Sequence, residues 1–462
     1  MKSTRSFFIL VIFVILSRIP FLSGGFGADG DGWRVAKSAL MLWNEHLYQV
    51  SRFPGFPVYE FLQAPIIALS GSFASNAASL LVFIVSLLLL RSILQRWNIP
   101  HGDIVMIIYS FLPILWKNSA LSMDYVWGLC GIVASLYLLL EKRFMLAGVV
   151  LGLAAGTRIS HIAYVLPMYF LFPGTERRQW KSFAITACAV TAVCYLPVLL
   201  SNNYLLVVQD YLADQRHYSF VKKVGFYFYR FTYSLGLLGW IGIVAAVVLN
   251  RKKVQSAFTH VSFRTSSAAI GTAALVFALL PDEREYLIPM FPFLLIAVAG
   301  LVQRSHYIAI MILLFSYAFV SVDVVKHSVA NPELELNIQR GYLIKEFTDR
   351  QMINEKRIRL AQTPIPDSSF VMIGMGPMFW LENPDVEVAR GIEKEFRHDC
   401  AKSLRGNEVY FIYALYKPQL DEIRKRGYTV YYWDEMKEYL ETFLDYKLED
   451  EQIKVLKVEY AR

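Results

Sequence analysis

The chain has 462 residues, of which 55% are hydrophobic, 15% aromatic and only 18% charged, and its formal net charge is +8. This composition excludes an ordinary soluble globular protein of this length and predicts a polytopic membrane protein. The positive charge is only weak evidence for nucleic-acid binding. In membrane proteins lysine and arginine accumulate on cytoplasmic loops, so we interpret the charge as a signal of topology.

Apolar runs predict an α-helical membrane part with about eleven transmembrane helices, the first of them uncleaved. Clusters of Lys and Arg fall on one side of this arrangement, from Lys2 and Arg5 at the start to Arg304 near the end. The N-terminus is therefore predicted to be cytoplasmic, and an odd number of spans places the tail outside the cytoplasm. The predicted spans are Phe7–Leu22, Asn76–Leu94, Asp103–Trp116, Asp124–Leu140, Phe144–Gly156, His161–Phe172, Phe183–Leu200, Thr232–Leu249, Ser266–Leu280, Tyr286–Val302 and Tyr307–Val322.

Between the first two spans lies an outer loop, residues 23–75, that is far longer than a membrane connector requires. Apolar residues recur at helical spacing from Trp33 to Trp43, which predicts an amphipathic helix in the membrane interface. The segment Pro57–Gly71 begins at a proline and is interrupted by polar residues, so it predicts a second interfacial element rather than a span.

The start of this loop, GGFGADGDGWRVAKSALMLW, contains Asp29 and Asp31 among five glycines. One interpretation is that an aspartate caps the helix that begins near Trp33. The other is that the glycines let a ligand approach, and that a carboxylate acts as general base toward an attacking hydroxyl. A calcium loop of the EF-hand type is excluded, because it would need acids at Trp33 and Leu40.

Most of the remaining ionisable residues gather at the outer ends of the predicted spans. Charged groups are expensive in lipid, so they are expected to face a water-filled cavity and to serve function. Alternative roles stay open for some: Asp124 as a helix cap, and Arg158 and His161 as residues that snorkel to the headgroups. An arginine flanked by two glutamates, in PDEREY, suits a site for both phosphate and sugar hydroxyls. The residues concerned are Arg52, Lys117, Asp124, Arg158, His161, Glu283, Arg284 and Tyr286.

After Val322 the composition changes and predicts a small C-terminal α/β domain. Residues Glu335–Leu360 have the pattern of a polar helix, while SSFVMIGMG, NEVYFIYA and YTVYYW have the pattern of strands. A helix, KPQLDEIRKRG, is predicted between the last two strands. The domain organisation is thus a membrane domain, residues 1–322, followed by an extracytoplasmic domain, residues 323–462.

The order of these motifs resembles the GT-C superfamily of integral membrane glycosyltransferases. The stretch ADGDGWRVAKSALMLWNEHLYQVSRFPGFPVYEFL is similar to the first outer loop of polyprenyl-phosphate-mannose-dependent mannosyltransferases. AGVVLGLAAGTRIS and REYLIPMFPFLL extend the likeness through the membrane part. The resemblance implies a multi-pass enzyme that transfers a hexose, mannose above all, from a polyprenyl-phosphate carrier to a glycan, lipid or protein acceptor of the cell envelope.

The resemblance also implies roles for individual residues. Asp31 or Asp29 would be the base, although the spacing here is D-G-D where the family often has a D-E pair. Arg284, with Arg158 and Lys117, would bind the donor phosphate, and Asp124 would orient the acceptor or a metal.

No metal or other cofactor is expected to be required, although a divalent cation, Mg or Mn, is compatible with this chemistry, and the four cysteines lack metal-ligand spacing. Two other function classes are a transporter or flippase of lipid-linked glycans and a non-catalytic membrane protein whose outer domain binds a partner. A transporter predicts repeat symmetry and polar residues at the bilayer midplane.

Overall fold

The computed structural model describes most of the membrane part and portions of the tail. The described residues are 4–27, 30–172, 174–216, 220–326, 334–348, 350, 355, 366, 369–372, 386–388, 401–403, 409–412, 425, 427–433 and 453–456.

The membrane part is a series of helices, several of them short. The α-helices are α1 Thr4–Arg18, α2 Gly30–Glu45, α3 Pro57–Arg96, α4 Gly102–Phe111, α5 Pro113–Asn118, α6 Tyr125–Leu140, α7 Phe144–Thr157, α8 Val165–Met168, α9 Arg177–Leu200, α10 Tyr204–Arg216, α11 Phe220–Thr232, α12 Leu237–Leu249, α13 Arg251–Ala257, α14 Val261–Leu279, α15 Phe291–Leu301 and α16 Arg304–Ser316. Turns of 3-10 helix occupy Ile19–Phe21, Ile159–Tyr164, Tyr169–Leu171, Gly174–Glu176 and Arg284–Met290.

Within the described residues, five helical stretches are long and apolar enough to cross a membrane, or six if the bent pair Lys223–Thr232 and Leu237–Leu249 counts as one span. The count of eleven spans is therefore not confirmed. Proline contributes to the difference, because it removes a backbone donor and breaks helices: Pro113 separates α4 from α5. The five stretches are Thr4–Phe21, Pro57–Arg96, Arg177–Leu200, Val261–Leu279 and Arg284–Leu301.

The predicted interfacial segment Pro57–Gly71 is not separate from the span that follows it. Both belong to α3, which is interrupted by non-helical backbone at Gly71 with φ 64° and ψ −156°. Glycine tolerates this conformation, so the chain changes direction there without an intervening loop. The predicted boundary between two helical elements is confirmed at Gly71, where two helices meet at a kink.

The end of the membrane part also differs from the prediction. The predicted span Tyr307–Val322 ends as a helix at Ser316, and strand β1, Val320–Lys326, follows. The predicted polar helix Glu335–Leu360 is wrong in its first part, where β2, Leu334–Arg340, pairs antiparallel with β1. Cross-strand pairing with the β-branched residues of β1 outweighs local helix propensity. Residues 342–348 are helical.

The chain divides into two compact units, one of Met1–Phe26 and Ser38–Phe347, the other of Gly27–Lys37 and Thr348–Arg462. This division differs from the predicted boundary at residue 322. Residues beyond 322 belong to the first unit partly because Tyr342 stacks on Tyr317, with ring centroids 5.6 Å apart and an angle of 17° between the ring planes.

The second unit contains a six-stranded sheet in the order β4-β5-β6-β3-β7-β8. The three predicted strands are confirmed as β3, β6 and β7, and β3 pairs parallel with both of the others. Most of the predicted helix KPQLDEIRKRG lies outside the described residues. The strands are β3 Ser369–Met372, β4 Val386–Val388, β5 Ala401–Ser403, β6 Val409–Ile412, β7 Thr429–Trp433 and β8 Ile453–Leu456.

Buried polar side chains tie the end of α1 to the turn that precedes α6. Arg18 is fully buried, and its Nε donates to Ser119 Oγ at 3.2 Å. Asn76 Nδ2 donates to the carbonyl oxygens of Leu22 and Gly25, both at 2.9 Å, and Asn76 Oδ1 accepts from Ser122 Oγ at 2.7 Å. These bonds satisfy groups that would be costly to bury alone. They fix the turn that carries Asp124.

Candidate functional site

A buried carboxylate between two arginines forms the centre of the candidate site. Asp124 is fully buried, and its Oδ1 accepts from Arg52 Nη2 at 2.7 Å while its Oδ2 accepts from Arg158 Nε at 2.9 Å. Burial alone would raise the pKa of the Asp124 carboxyl, but the guanidinium groups of Arg158 and Arg52 outweigh it and hold this pKa below its usual range. The three side chains together carry one net positive charge.

Local backbone geometry brings these residues together. Asp124 lies at the N-cap position of α6, yet its side chain makes no capping hydrogen bond. Asp124 therefore occupies the predicted N-cap position but does not cap the helix through its side chain, since both carboxylate oxygens bond the arginines. Arg158 follows α7 with extended backbone, φ −163° and ψ 114°, which turns its side chain away from the helix direction.

Aromatic rings surround the arginines and limit access of water. The Phe56 ring centroid lies 3.9 Å from Arg52 Cζ and 5.1 Å from Arg158 Cζ. Arg158 Cζ also lies 4.5 Å from the ring of Tyr125 and 4.3 Å from that of Tyr286. Cation–π contacts of this kind strengthen when the cation is desolvated. Arg158 Nη2 is buried and has no hydrogen-bond partner within the part of the chain that the structure describes.

His161 has a structural position beside this centre. Its Nδ1 lies 3.0 Å from the carbonyl oxygen of Ala154, and the ring packs so closely on Gly128 that a Cβ there would lie 1.9 Å from His161 Cε1. Any larger residue at Gly128 would displace the imidazole. His161 is near the predicted site, but its ring is committed to packing against α6 and α7.

A second charged group lies where the turn after α14 meets residues 342–348. Lys117 Nζ is 3.4 Å from Glu285 Oε1 and 3.1 Å from Glu346 Oε2. Tyr342 donates its hydroxyl to Glu285 Oε1 at 2.8 Å, and burial raises the pKa of Tyr342 so that this proton is kept. The predicted cation Lys117 is thus balanced by two carboxylates.

Arg284 lies at the more accessible side of this group. Its Nη1 donates to the Tyr317 hydroxyl at 3.1 Å, and its Cζ lies 4.4 Å from the Tyr342 ring centroid. Its Nε is 3.8 Å from Glu285 Oε1, and about a third of the side chain is exposed. The guanidinium is therefore oriented by aromatic groups while part of it stays accessible.

The turn 283–286 connects the centre around Asp124 to the charged group around Lys117 and Glu285. The Tyr125 hydroxyl lies 3.4 Å from Glu283 Oε2, and Tyr286 covers Arg158. The structure thereby brings together all eight site residues that were predicted in the membrane part outside the glycine-rich loop start: Arg52, Lys117, Asp124, Arg158, His161, Glu283, Arg284 and Tyr286.

The aspartate pair is described only in part. Asp29 lies outside the described residues, whereas Asp31 lies in the first turn of α2 and its Oδ1 is 3.3 Å from Arg34 Nη1. The helix begins at Gly30 rather than near Trp33, and Trp33 Nε1 donates to the carbonyl of Gly27 at 2.8 Å. A carboxylate in the first turn favours the helix by its charge. Residues 27–37 belong to the second compact unit.

Residues 57–285 match the profile of Glycosyltransferase family 87, just under half of the chain. The match indicates a glycosyltransferase. It confirms the resemblance to a membrane enzyme of the GT-C type, and it favours an enzyme over a transporter or a partner-binding protein. The matched range contains Lys117, Asp124, Arg158 and Arg284. No curated protein and no solved structure gives a significant match.

Asp124 and Glu285, two carboxylates of the candidate site, are paired with cations rather than grouped as metal ligands. Among the described residues no group of three His, Cys, Asp or Glu side chains is placed to hold a metal ion. Asp124 contacts two arginines, and Glu285 contacts Lys117.

Tyr342 and Glu346 were not predicted to contact these residues, because they lie in the segment that was predicted to belong to the outer domain. Their spacing of four residues places both on one side of a helix, and that spacing was the available signal. No role was predicted for Phe56 and Tyr125 either, because an aromatic residue near a membrane interface is common without any contact to a charged site.

Proposed function

We propose that this glycosyltransferase transfers a sugar, mannose being the first candidate, from a polyprenyl phosphate to an acceptor hydroxyl at the outer membrane face. The observation that carries the proposal is Arg158, which is buried, paired with Asp124, and leaves Nη2 without a partner in the described chain. A buried guanidinium nitrogen without an acceptor is costly. A phosphate oxygen of the donor would supply that acceptor.

The charge of the centre fits this role. Arg52 and Arg158 exceed Asp124 by one positive charge, and the site is enclosed by Phe56, Tyr125 and Tyr286. Electrostatic stabilisation of a departing group is strongest where water is excluded and the donors are already oriented. Asp124 holds both guanidinium groups before the donor arrives, so little reorganisation is needed when negative charge develops on the phosphate.

Lys117 and Arg284 would act next to this centre. Each is already in contact with Glu285, so neither contributes a full positive charge to the donor. Arg284 is the more accessible of the two and would contact the outer oxygens of the phosphate. Glu283 and Glu285 would accept hydrogen bonds from sugar hydroxyls, as carboxylates commonly do.

The reaction is a single displacement at the anomeric carbon. The acceptor oxygen forms the new glycosidic bond while the bond from the anomeric carbon to the phosphate oxygen breaks, and the electron pair leaves with the polyprenyl phosphate. The acceptor proton passes to a carboxylate, Asp31 or Asp29, acting as general base. Attack opposite the leaving group inverts the configuration at that carbon.

We further propose that this reaction proceeds without a bound metal, with arginine and lysine neutralising the phosphate. Purified protein treated with EDTA should keep its transfer rate. Loss of activity that Mg²⁺ or Mn²⁺ restores would assign the neutralising role to a divalent cation instead.

The direct test is sugar transfer by the purified protein in the presence of membranes that supply acceptors. A panel of radiolabelled polyprenyl-phosphate sugars should give product with one sugar, and nucleotide sugars should give none. Transfer from a nucleotide sugar alone would refute the donor class, and absence of transfer from every donor would refute the proposal.

A further inference from the structure

The loop that carries Arg52 has no regular secondary structure of its own. Residues 46–56 connect α2 to α3 as bends, turns and irregular backbone. An arginine on such a segment would sample many positions, because both the loop backbone and the long side chain have conformational freedom. Its contact with Asp124 at 2.7 Å therefore requires support from elsewhere in the protein.

Asn203, in the turn between α9 and α10, supplies part of that support. Its Nδ2 donates to the carbonyl oxygen of Val50 at 2.9 Å, and its Oδ1 accepts from the Val50 backbone N–H at 2.9 Å. A single side-chain amide thus pairs with both backbone polar groups of one residue, as a neighbouring strand would. Val50 is 3% exposed and packs on Val198 and Tyr195, so these groups could not turn to water instead.

Glu60, in the first turn of α3, fixes the next residue. Its Oε1 accepts from the Ser51 backbone N–H at 3.0 Å, and its other oxygen accepts from the Tyr48 hydroxyl. Glu60 is fully buried. The two residues immediately before Arg52 are therefore held by side chains from two different helical regions.

Helices α9 and α10 also fix the residues after Arg52. The Tyr195 hydroxyl donates to the carbonyl of Gly55 at 3.0 Å, and the Tyr211 ring stacks on Phe53 with centroids 4.4 Å apart. Helices α9 and α10 and the turn between them therefore hold the loop both before Arg52, at Val50, and after it, at Phe53 and Gly55.

We propose that Asn203 is a positioning residue for the donor phosphate, acting through the backbone of Val50 on the guanidinium of Arg52. The inference rests on the function proposed above, in which the centre formed by Arg52, Asp124 and Arg158 binds the donor phosphate. It assigns a function to the turn between α9 and α10. The side-chain hydrogen bonds of Asn203 in this turn go to Val50 and Ser201, so Asn203 would act on the site indirectly. Without the amide, the loop keeps Glu60 and Tyr195 but loses the two bonds that set the register of Val50.

The test measures binding of a polyprenyl phosphate and of the corresponding polyprenol to the purified full-length protein. Wild type should prefer the phosphate. Asn203→Ala should weaken phosphate binding about tenfold, the usual scale for lost hydrogen bonds that orient a charged contact, and should leave polyprenol binding unchanged. Asn250→Ala is the matched control, because Asn250 Nδ2 also donates to a backbone carbonyl, that of Ala246 at 2.9 Å, away from the site.

A double-mutant cycle with Arg52→Ala identifies the route. In the Arg52→Ala background, Asn203→Ala should have no further effect on phosphate binding, since coupled residues are not additive. Additive losses, or unchanged phosphate binding by Asn203→Ala, would overturn the positioning role while the phosphate preference of wild type still supports the proposed function. A wild type that binds phosphate and polyprenol equally would refute the proposed function itself.

If Asn203→Ala does not fold, Asn203→Asp replaces it. Aspartate keeps an acceptor for the Val50 N–H but cannot donate to the Val50 carbonyl. It should give a partial loss of phosphate binding, and unchanged binding would again refute the role of Asn203.

Discussion

Replacement of Arg158 by lysine separates the shape of the guanidinium from its charge. Arg158 bonds Asp124 through Nε at 2.9 Å, and its Nη2 has no partner among the described residues. Under the proposed function, its planar group would contact both Asp124 and the donor phosphate. Lysine keeps the positive charge but has one nitrogen on a flexible stem. In Arg158→Lys this nitrogen can bond Asp124 or the donor phosphate, but its geometry does not reproduce both contacts.

The magnitude follows from the contact that is lost. A hydrogen bond between charged groups contributes about 1.5–3 kcal/mol, which corresponds to about a 10- to 150-fold change in an equilibrium constant. We therefore expect Arg158→Lys to raise the donor KM by about 10- to 150-fold. Arg158→Ala would be less informative, because it removes one partner of a buried ion pair and endangers folding by about 3–5 kcal/mol.

The assay is transfer of radiolabelled sugar from the polyprenyl-phosphate donor at varied donor concentration. Arg304→Lys is the matched control, since Arg304 contacts both oxygens of Asp103 at 3.1 and 2.5 Å but is more than half exposed. Exposed pairs contribute about 0–1 kcal/mol, so this variant should behave as wild type. A donor KM for Arg158→Lys equal to that of the control would refute the reasoning.

Three further predictions concern the base, the donor and the topology. Asp31→Asn should lower the transfer rate by about 10²–10⁴-fold with donor binding intact, because asparagine keeps the size of aspartate but not its proton affinity. A normal rate for Asp31→Asn together with an inactive Asp29→Asn would assign the base to Asp29. A normal rate for the double variant would refute a catalytic role for either aspartate. Arg284→Ala should weaken donor affinity, and unchanged donor kinetics would remove Arg284 from the site. A reporter after Arg462 should be accessible from outside the cell and one at Arg178 should not, so protection of the C-terminal reporter from external protease would contradict the orientation.

The grouping of ionisable residues in the membrane part could be predicted because the cost of placing charge in lipid is visible in the sequence. Asp124, Arg158 and Arg284 are ionisable groups at the ends of apolar runs, where the structure finds them. Such residues are retained only where they face water or a partner. The predicted strands β3, β6 and β7 were equally visible, because short runs of β-branched and aromatic residues between turn residues have few alternatives.

Contacts between distant residues were decided by tertiary structure. Nothing in local sequence shows that Asp124 bonds Arg52 and Arg158 rather than capping α6, since Asp is also a common cap. The predicted boundary at Gly71 is a kink between two helices with no loop, and the backbone conformation of Gly71 decided that geometry. Tyr342 and Glu346 became site residues because the pairing of β1 with β2 returns the chain to the membrane unit.

Composition and the position of charge thus determined that the chain is a membrane protein whose ionisable residues gather at helix ends, because burial of charge in lipid is penalised wherever the chain folds. Which carboxylate faces which cation was decided only by packing. The energy of an ion pair depends on the distance and surroundings of two side chains, and Arg52 and Arg158 come within 3 Å of Asp124 only after the helices between them have packed.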